Sequence, residues 1–477
     1  MKTLPLDYSE TPTLEILQLF LESVRDEAEE QEHAQLISIT MPADHLDPLA
    51  VLESIYEPEE LHFYVERRGE GLAIAGAECA LSFSSQGEDR FAQSKAFVEE
   101  TLENTIAVGD EDLEFFGPHF FCAFGFFADE EPSSPFPAAR LFVPSWQVCA
   151  SENQCVAIAN ALVEADSDVE AIAQRIWNAN TKFQSIDYSS VDELPEQQDR
   201  QPWEILQESE AKEADKFESV VEQGLQAIAE SKVEKVVLAR ALDIKANQEF
   251  HPLEILNTIR ERYPDCYSFS VANGEGQSFI GASPERLLRV REGEVLTEAL
   301  AGSARRGATA AEDSALGNGL LRSEKDKHEQ ALVLQSICRR FEALGVEPQY
   351  PLKPRLKRLQ NVQHLHTPIK AKLENDVGIF GLLEALHPTP AVGGTPREAA
   401  GSWIKKLESF DRGLYAGAIG WVNSKGEGEF SVSIRSALIE GDRARLYAGV
   451  GIVNGSDPDK EKQETDLKFQ ALKENLL

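Results

Sequence analysis

The last stretch of the chain, Leu446 to Leu472, constrains the fold more than any other. Small and β-branched residues up to Val453 predict a strand, and NGSDP then supplies a turn and a helix cap. The remainder predicts a helix in which Leu467, Ala471 and Leu472 form an apolar stripe. Carboxylates beside that stripe face protein, and a buried charge is costly unless it is paired or binds a metal.

Two predicted helices carry acid pairs one turn apart. On the C-terminal helix, Glu461, Glu464 and Lys468 lie on the side of the apolar stripe. On an earlier helix, Asp326 and Glu329 flank another stripe. Brought together, D-x-x-E and E-x-x-E would form a carboxylate cage for a hard dication such as Mg²⁺, which prefers oxygen ligands. A solvated acidic helix end explains the same residues, and spacing alone does not pair the two helices.

Composition limits the class of protein and its partners. The 477 residues, 42% of them hydrophobic, suffice for one large domain or two to three ordinary ones. A net charge of -36 repels nucleic acid and anionic membranes. No apolar run approaches the roughly 20 residues that span a bilayer. Six scattered cysteines without metal-binding spacing favour reduced thiols, so we predict a cytoplasmic protein.

Short strand–turn–strand units outnumber β-α-β units, which predicts an α+β fold with mainly antiparallel sheets. Leu61 to Ser84 predicts two strands joined at RRGEG, and Ala139 to Ala150 predicts one strand. The polar, acidic segment Thr181 to Pro202 predicts a linker or a long crossing loop. We therefore divide the chain into residues 1–203 and 204–477.

Three side chains lie at positions where they could act in catalysis or bind an anion. Lys235 opens an apolar strand, so it either reaches solvent or is a partly buried amine with a lowered pKa, able to act as a general base. Glu285 follows a strand at a turn of small residues, as an exposed cap or as a shielded general acid. Arg435 lies inside a predicted apolar strand, Ser431 to Ile439, where an arginine usually needs an anion.

Two further segments carry candidate binding groups. LAGSARRG, Leu300 to Gly307, is a small-residue loop whose amides could bind a carboxylate, although a plain turn explains it equally well. His364 lies on a predicted strand, where a lone histidine is more often a satisfied core residue than a ligand.

In this order, the segments resemble the chorismate-utilising enzymes, and most closely the isochorismate synthases. The region spanned by the matching motifs makes up more than half of the chain. The motifs are KVVLAR, GASPERLL, LAGSARRG, SEKDKHE, HPTPAVGG, FDRGLYAGAIGW, SIR, and YAGVGIV followed by KQETDLK. The resemblance implies one large α+β domain of two packed antiparallel sheets with helices outside, and dependence on Mg²⁺. It also implies that 1–203 is the variable half of the fold and 204–477 the chorismate-binding region.

The resemblance implies a role for each candidate. Lys235 matches the base that activates water, and Glu285 matches the acid that protonates the departing hydroxyl. The implied metal ligands are Glu329 and Glu464, supported by Asp326 and Glu461. The implied substrate contacts are Arg435 and Tyr447 at the enolpyruvyl carboxylate, His364 near the ring, and Gly302, Ser303, Gly449 and Lys468 along the pocket.

The implied reaction turns chorismate into isochorismate by adding water at C2 and releasing the C4 hydroxyl, for menaquinone or phylloquinone biosynthesis. Lys235 and the absence of a lysine at Ala301 favour water over ammonia as the nucleophile. The alternatives are a salicylate synthase, which also eliminates pyruvate, an isochorismate supply for salicylate or siderophores, and a non-catalytic chorismate-binding protein. The predicted partner is chorismate alone, without nucleic acid, membrane or glutamine amidotransferase subunit, in a monomer or homodimer.

Overall fold

Eleven helices surround the sheets in the computed structural model, which describes residues 1–5, 13–43, 45–129, 134–185, 203–210, 217–360, 362–373 and 377–476. One 3₁₀ turn, Arg68–Glu70, adds to them. The helices are α1 (Leu14–Gln31), α2 (Pro48–Ser54), α3 (Arg90–Glu103), α4 (Val169–Ser185), α5 (Phe217–Ala229), α6 (Pro252–Arg262), α7 (Ala310–Arg322), α8 (Glu324–Ala343), α9 (Ile379–Leu386), α10 (Arg397–Leu407) and α11 (Pro458–Leu476).

The larger sheet contains fourteen of the described strands. Its members are β1 (Lys2–Leu4), β2 (Gln35–Pro42), β3 (His62–Arg67), β4 (Leu72–Ala77), β6 (Thr105–Val108), β9 (Trp146–Ala150), β10 (Cys155–Val163), β11 (Ile205–Glu210), β12 (Lys235–Ala246), β13 (Tyr267–Ala272), β14 (Gln277–Ser283), β19 (Gly394–Thr395), β22 (Ser436–Glu440) and β23 (Arg443–Ile452). They run in the order β1-β6-β2-β10-β9-β4-β3-β13-β14-β22-β23-β12-β11, and β19 pairs with β12.

The second sheet contains nine of the described strands. Its members are β5 (Leu81–Ser85), β7 (His119–Phe124), β8 (Ala139–Val143), β15 (Arg286–Arg291), β16 (Glu294–Arg305), β17 (Arg355–Arg358), β18 (Val362–Lys372), β20 (Ala418–Asn423) and β21 (Gly428–Val432). They run in the order β17-β18-β16-β15-β21-β20-β7-β8-β5.

The fold is the predicted α+β domain with two large, mainly antiparallel sheets. Among the described strand pairs, only β6 runs parallel to its neighbours, β1 and β2. Both parts of the chain enter both sheets, because β3 pairs with β13 and β7 pairs with β20. The division at residue 203 therefore does not separate two structural units, and its functional meaning stays a prediction.

Aromatic side chains join the two sheets. Phe63 on β3 stacks against Phe121 on β7, with ring centroids 4.4 Å apart and planes 9° from parallel. Both side chains are almost completely buried. Every residue of β7 is buried, as its apolar sequence predicts. Fully burying such side chains stabilises the fold by about 1.5–3 kcal/mol each. The aromatic contacts between the two sheets therefore contribute to the stability of the core.

The segment Ala139 to Ala150 is two strands rather than the single strand predicted. Pro144 separates β8 from β9, and the two strands enter different sheets. Proline has no N–H to donate to a ladder, so it interrupts a continuous strand and lets the chain cross between the sheets here. Likewise, Leu61 to Ser84 contains β3 and β4 as predicted, but its last residues form β5 in the other sheet.

Helix α11 buries only part of the predicted stripe, since Leu472 is buried but Leu467 is not. Leu467 is 61% exposed, whereas Phe469, Leu472 and Leu476 are buried. Polar contacts explain this rotation of the helix. Arg240 on β12 donates hydrogen bonds to Thr465 Oγ1 and Asp466 Oδ1, at 2.7 and 2.6 Å.

The structure also bears on the predicted linker, the cysteines and membrane-spanning helices. Residues 181–185 of the predicted linker continue α4, and its residues 186–202 lie outside the described residues. No disulfide joins the six cysteines, all of which lie in the described ranges. Within those ranges, no helix combines the length and the apolar character that crossing a bilayer requires.

A buried ion pair, Glu408 with Arg412, lies directly after α10. It connects β12 to the loop before that helix. Their side chains are 2% and 0% exposed, and Arg412 Nη2 lies 2.6 Å from Glu408 Oε1. Arg412 also donates to the carbonyls of Val392 and Val237, and Glu408 accepts from the Ala239 amide. The pair therefore holds the loop against the strand that begins with Lys235.

Replacing Arg412 with leucine should lower the free energy of unfolding by about 3–5 kcal/mol, because Glu408 would remain buried without its partner. Chemical denaturation of wild type and variant measures the difference. Lys462→Met, which breaks the more exposed pair with Asp466, is the control and should cost about 0.5 kcal/mol or less. Equal losses for both variants would contradict the assignment.

Candidate active site

Lys235 is buried where β12 begins. Only 1% of its side chain is exposed, and its Nζ donates to Glu329 Oε1 on α8 at 2.9 Å. Its strand is flanked by β23 and, at this end, by the short β19. The lysine is therefore not a solvated strand end. It is an amine enclosed between a sheet and a helix.

Two glycines on β23 leave room beside this lysine. Gly451 pairs with Val237 and Gly449 with Ala239, and directly paired residues of antiparallel strands project from the same face, which is also the face of Lys235. A Cβ on Gly451 would lie 2.6 Å from Glu329 Oε1 and 3.0 Å from Lys235 Cε. Glycine at this position thus permits the contact between β12 and α8.

Lysines contact three of the four acids predicted around the metal. Besides Lys235 with Glu329, Lys468 Nζ lies 2.8 Å from Glu464 Oε1. Lys325 Nζ lies 2.7 Å from the buried Glu461. Lys468 also donates to the Gly449 carbonyl at 2.7 Å, which brings α11 to the edge of β23.

The structure brings α8 and α11 together, as a carboxylate cage requires. Burial raises the pKa of Asp326, and the Glu329 and Glu464 carboxylates raise it further against the opposing hydrogen bond of Ser323. Asp326 also contacts the backbone at Gly302, where a Cβ would lie 3.0 Å from the Asp326 Cβ. Across the described ranges, however, no group of three or more His, Cys, Asp or Glu is arranged to hold a metal ion.

Glu285 lies between β14 and β15 and is 4% exposed. Burial raises its pKa to about 8, and the Glu298 carboxylate adds to the rise, while Lys235 and Lys357 oppose it. A carboxyl with this pKa carries its proton at neutral pH and can donate it. Its burial excludes the interpretation of Glu285 as an exposed helix cap.

A buried carboxylate that sequence reasoning did not single out lies behind Glu285. Glu298 on β16 accepts from His366 Nε2 at 2.7 Å and from Lys357 Nζ at 2.9 Å. Burial opposes its ionisation, but the His366 hydrogen bond and the Lys357 charge outweigh burial and lower the pKa of Glu298. The sequence did offer a signal for this residue, because Glu298 is a charged residue in the otherwise apolar run before LAGS.

His364 on β18 keeps one ring nitrogen free of protein partners. Its Nδ1 lies 3.1 Å from the Gly302 carbonyl and 3.1 Å from Ser303 Oγ, at a bulge where Gly302 has φ +71°. Burial, with the Arg435 charge, lowers the pKa of His364 to about 3, so the ring is neutral. Its Nε2 is buried without a partner in the described structure, which is where a ligand or water fits.

Arg435 lies in a break between β21 and β22, not inside a strand as predicted. Its φ of +53° is rare for a residue with a side chain and bends the chain here. No carboxylate of the described residues forms an ion pair with it. Burial is the main cause of the lowered pKa of His364, and the Arg435 charge adds to it. For Glu464, burial opposes ionisation, but the charge and hydrogen bond of Lys468 outweigh it and lower the pKa, and the Arg435 charge contributes. Arg435 is thus a cation beside the cluster without a counter-ion among the described residues.

The tyrosine beside this cluster is Tyr415, rather than the predicted Tyr447. The hydroxyl of Tyr447 interacts with Arg445, and Tyr447 lines a cavity of about 1100 Å³ that none of the other predicted site residues lines. Tyr415 stacks on the Tyr447 ring at 5.1 Å, and a Cβ on Gly449 would lie 2.7 Å from the Tyr415 hydroxyl. Register and spacing could not separate two stacked tyrosines, although the motif FDRGLYAGAIGW contains Tyr415.

The chain matches known sequences over nearly its whole length. The family described as "Chorismate binding enzyme" matches residues 21–477. "Salicylate biosynthesis isochorismate synthase" of Pseudomonas aeruginosa is 34% identical over 451 residues, covering 94% of this chain and 92% of the relative. "Isochorismate synthase MenF" of Bacillus subtilis is 32% identical over 456 residues, covering 93% and 94%.

A solved structure has the same fold. It is that of MenF, the menaquinone-specific isochorismate synthase from Escherichia coli, with a TM-score of 0.74 at 28% identity. The match covers 96% of this chain and all of that one.

Adding a methyl group at Gly451 tests the arrangement of Lys235 and Glu329. Gly451→Ala should push these side chains apart and lower the turnover of chorismate roughly 10²-fold, since small displacements of reacting groups cost about this much. The matched control is Gly319→Ala, on α7, where a Cβ would meet nothing within 4 Å. Steady-state kinetics and thermal melting of both variants decide, and a fully active Gly451→Ala enzyme would refute the arrangement.

Proposed function

Since this chain belongs to the chorismate-binding enzyme family, we propose that it is an isochorismate synthase, an isomerase that converts chorismate to isochorismate. The single observation that carries the proposal is the juxtaposition of a buried acid and a buried amine. Glu285 holds its proton at neutral pH, and the Lys235 charge acts on its carboxyl. The names of the two full-length relatives support the same activity.

The proposed reaction needs both groups. Hydroxide is a poor leaving group, so the C4 hydroxyl departs only when an acid protonates it, and Glu285 with a pKa of about 8 carries that proton. Water is a poor nucleophile, so its addition at C2 requires a base, for which we propose Lys235. In the described state Lys235 donates to Glu329. Its nitrogen must therefore leave that carboxylate and lose a proton before it accepts one from water.

Recognition of the substrate requires cations, because chorismate is a dianion and the chain itself carries a net charge of -36. We propose that Arg435, whose guanidinium has no carboxylate partner among the described residues, binds the enolpyruvyl carboxylate. We propose that the hydroxyl of Tyr415 contacts the same carboxylate. A charge-assisted hydrogen bond of this kind is worth about 1.5–3 kcal/mol. The neutral His364 offers its unpartnered Nε2 to the ring side of the substrate.

We further propose that Glu329 and Glu464 hold Mg²⁺, with Asp326 and Glu461 in support. The donor chemistry fits, because burial raises the pKa of Asp326 and the Glu329 and Glu464 carboxylates from two helices add to the rise, a repulsion that a dication would relieve. When bound, the ion neutralises the ring carboxylate of the substrate and polarises the diene. Lys235 and Lys468, which now contact these glutamates, would then be displaced from them.

The pathway is a finer proposal. The relatives from Bacillus subtilis and Escherichia coli are named MenF, and the Escherichia coli enzyme is described as menaquinone-specific, which supports menaquinone biosynthesis. Phylloquinone biosynthesis stays a prediction. The name of the Pseudomonas aeruginosa relative supports the second candidate, isochorismate made for salicylate. A cytoplasmic location, the absence of a glutamine amidotransferase subunit and a monomeric or dimeric state stay predictions.

Product analysis tests the proposed activity. The purified protein, supplied with chorismate and Mg²⁺, should form isochorismate, separable by chromatography from salicylate with pyruvate and from aminated products. Lys235→Ala and Glu285→Gln should each lower the rate by about 10²–10⁴-fold in both directions, since the same acid and base serve the reverse reaction.

Binding controls separate chemistry from folding in this test. Both variants should retain chorismate affinity, because neither residue is proposed as a ligand. The pH profile of kcat/KM should be bell-shaped for the wild type, and each variant should lose one limb. Salicylate with pyruvate as the main products would instead indicate a salicylate synthase. A Lys235→Ala enzyme with normal rates would mean that the base is another residue.

Removing one acid tests the metal site. Glu464→Gln should weaken binding of Mn²⁺, a probe for Mg²⁺, at least about tenfold as followed by electron paramagnetic resonance, and should raise the Mg²⁺ concentration needed for turnover. Glu474→Gln, an exposed acid on the same helix, is the control and should bind Mn²⁺ as the wild type does. Unchanged Mn²⁺ affinity in Glu464→Gln would exclude Glu464 as a ligand.

A further inference from the structure

We infer that Glu298 and Lys357 are positioning residues for the proposed acid, Glu285: they brace the backbone on both of its sides, and their opposite charges act on its carboxyl in opposite directions. The inference rests on the proposed function, in which Glu285 is the proton donor. It assigns a task to two residues, on β16 and β17, that neither the motifs nor the family resemblance singled out.

The geometry of the brace is specific. Glu298 Oε1 accepts a hydrogen bond from the Arg286 amide at 2.9 Å, directly after Glu285. Lys357 Nζ donates to the Pro284 carbonyl at 2.6 Å, directly before it. The two braces are joined, since Lys357 Nζ lies 2.9 and 3.2 Å from the two oxygens of Glu298. The acid therefore projects from a three-residue segment whose ends are both held by one ion pair.

Burial makes this ion pair electrostatically strong. Glu298 is 7% exposed and the Lys357 side chain is 15% exposed. His366 completes the carboxylate's partners at 2.7 Å, and Arg355 Nε lies 3.5 Å from His366 Nδ1. In such surroundings a charge acts on its neighbours with little screening by water.

The charged groups that face Glu285 come from three strands. Glu298 on β16 favours the protonated carboxyl, while Lys235 on β12 and Lys357 on β17 favour the ionised one. On the neighbouring side, the Arg286 guanidinium is engaged by Glu429, Glu70 and Tyr267. Removing the Glu298 charge and removing the Lys357 charge must therefore move the proton affinity of Glu285 in opposite directions.

The test measures the alkaline limb of the pH profile of kcat/KM, where Glu285 loses its proton. In Glu298→Gln the limb should move about one pH unit down, and in Lys357→Met about one unit up, since a charge a few ångströms away shifts a neighbour by 1–3 units. With the wild-type limb at about pH 8, the protonated fraction of Glu298→Gln at that pH should fall about fivefold. At pH 6 it should hardly change.

Matched controls come from the same sheet. Glu294 and Lys370, on β16 and β18, form an exposed pair at 3.6 Å, far less buried than the brace. Glu294→Gln and Lys370→Met should leave both limbs and the rate at their wild-type values. If Lys357→Met does not fold, Lys357→Gln replaces it, and Glu298→Gln, which keeps an oxygen for the Arg286 amide, is informative alone.

A purely structural brace gives a different result. Variants that only loosen the fold would lower kcat and the melting temperature without moving the limb, or would move it in one common direction, and either outcome overturns the inference. Infrared difference spectra of the protonated carboxyl, identified by its loss in Glu285→Gln, follow the same titration without turnover. If the protein makes no isochorismate, the proposed function fails, and the spectra still show whether the two variants shift Glu285 oppositely.

Discussion

Ion pairs between buried side chains hold the elements around β12 in place. The Lys235–Glu329 contact, at 2.9 Å, fastens α8 to the start of β12. The Glu408–Arg412 pair fastens the loop before α10 to the same strand. An uncompensated buried ion costs several kcal/mol, so each partner fixes where the other's element can lie. The sheets supply the core, and these pairs set the position of the elements around the site.

The same constraint explains how an acidic chain can build a site for a dianion. With a net charge of -36, the surface repels chorismate, so recognition depends on cations inside the fold. Lysines already contact Glu329 and Glu464, and Arg435 remains without a carboxylate among the described residues. In the proposed function, Glu329 and Glu464 would hold a dication, and the amines of Lys235 and Lys468 would then be free to act on the substrate.

Local pattern and tertiary contact contributed differently to what could be predicted. The spacing of Asp326 with Glu329, and of Glu461 with Glu464, follows from helical periodicity, which is a property of the chain itself. The α+β class follows from repeated strand–turn–strand units for the same reason. The stripe of α11 was wrong at Leu467, because Arg240 of a distant strand orients the helix through Thr465. Likewise, the motif match indicates Tyr447, whereas the fold places the Tyr415 hydroxyl next to Gly449.

The sequence by itself determined the fold class, the elements that carry acids and bases, and the family to which the chain belongs. It did so because periodicity, turn residues and motif order are local and read directly along the chain. The tertiary structure alone decided which charges are partners, that Arg435 lies at a break in the strands, and that Glu298 and Lys357 brace Glu285. Glu298 and Lys357 are 59 residues apart. Their contact depends on the register of β16, β17 and β18 within one sheet, which no short stretch of sequence encodes.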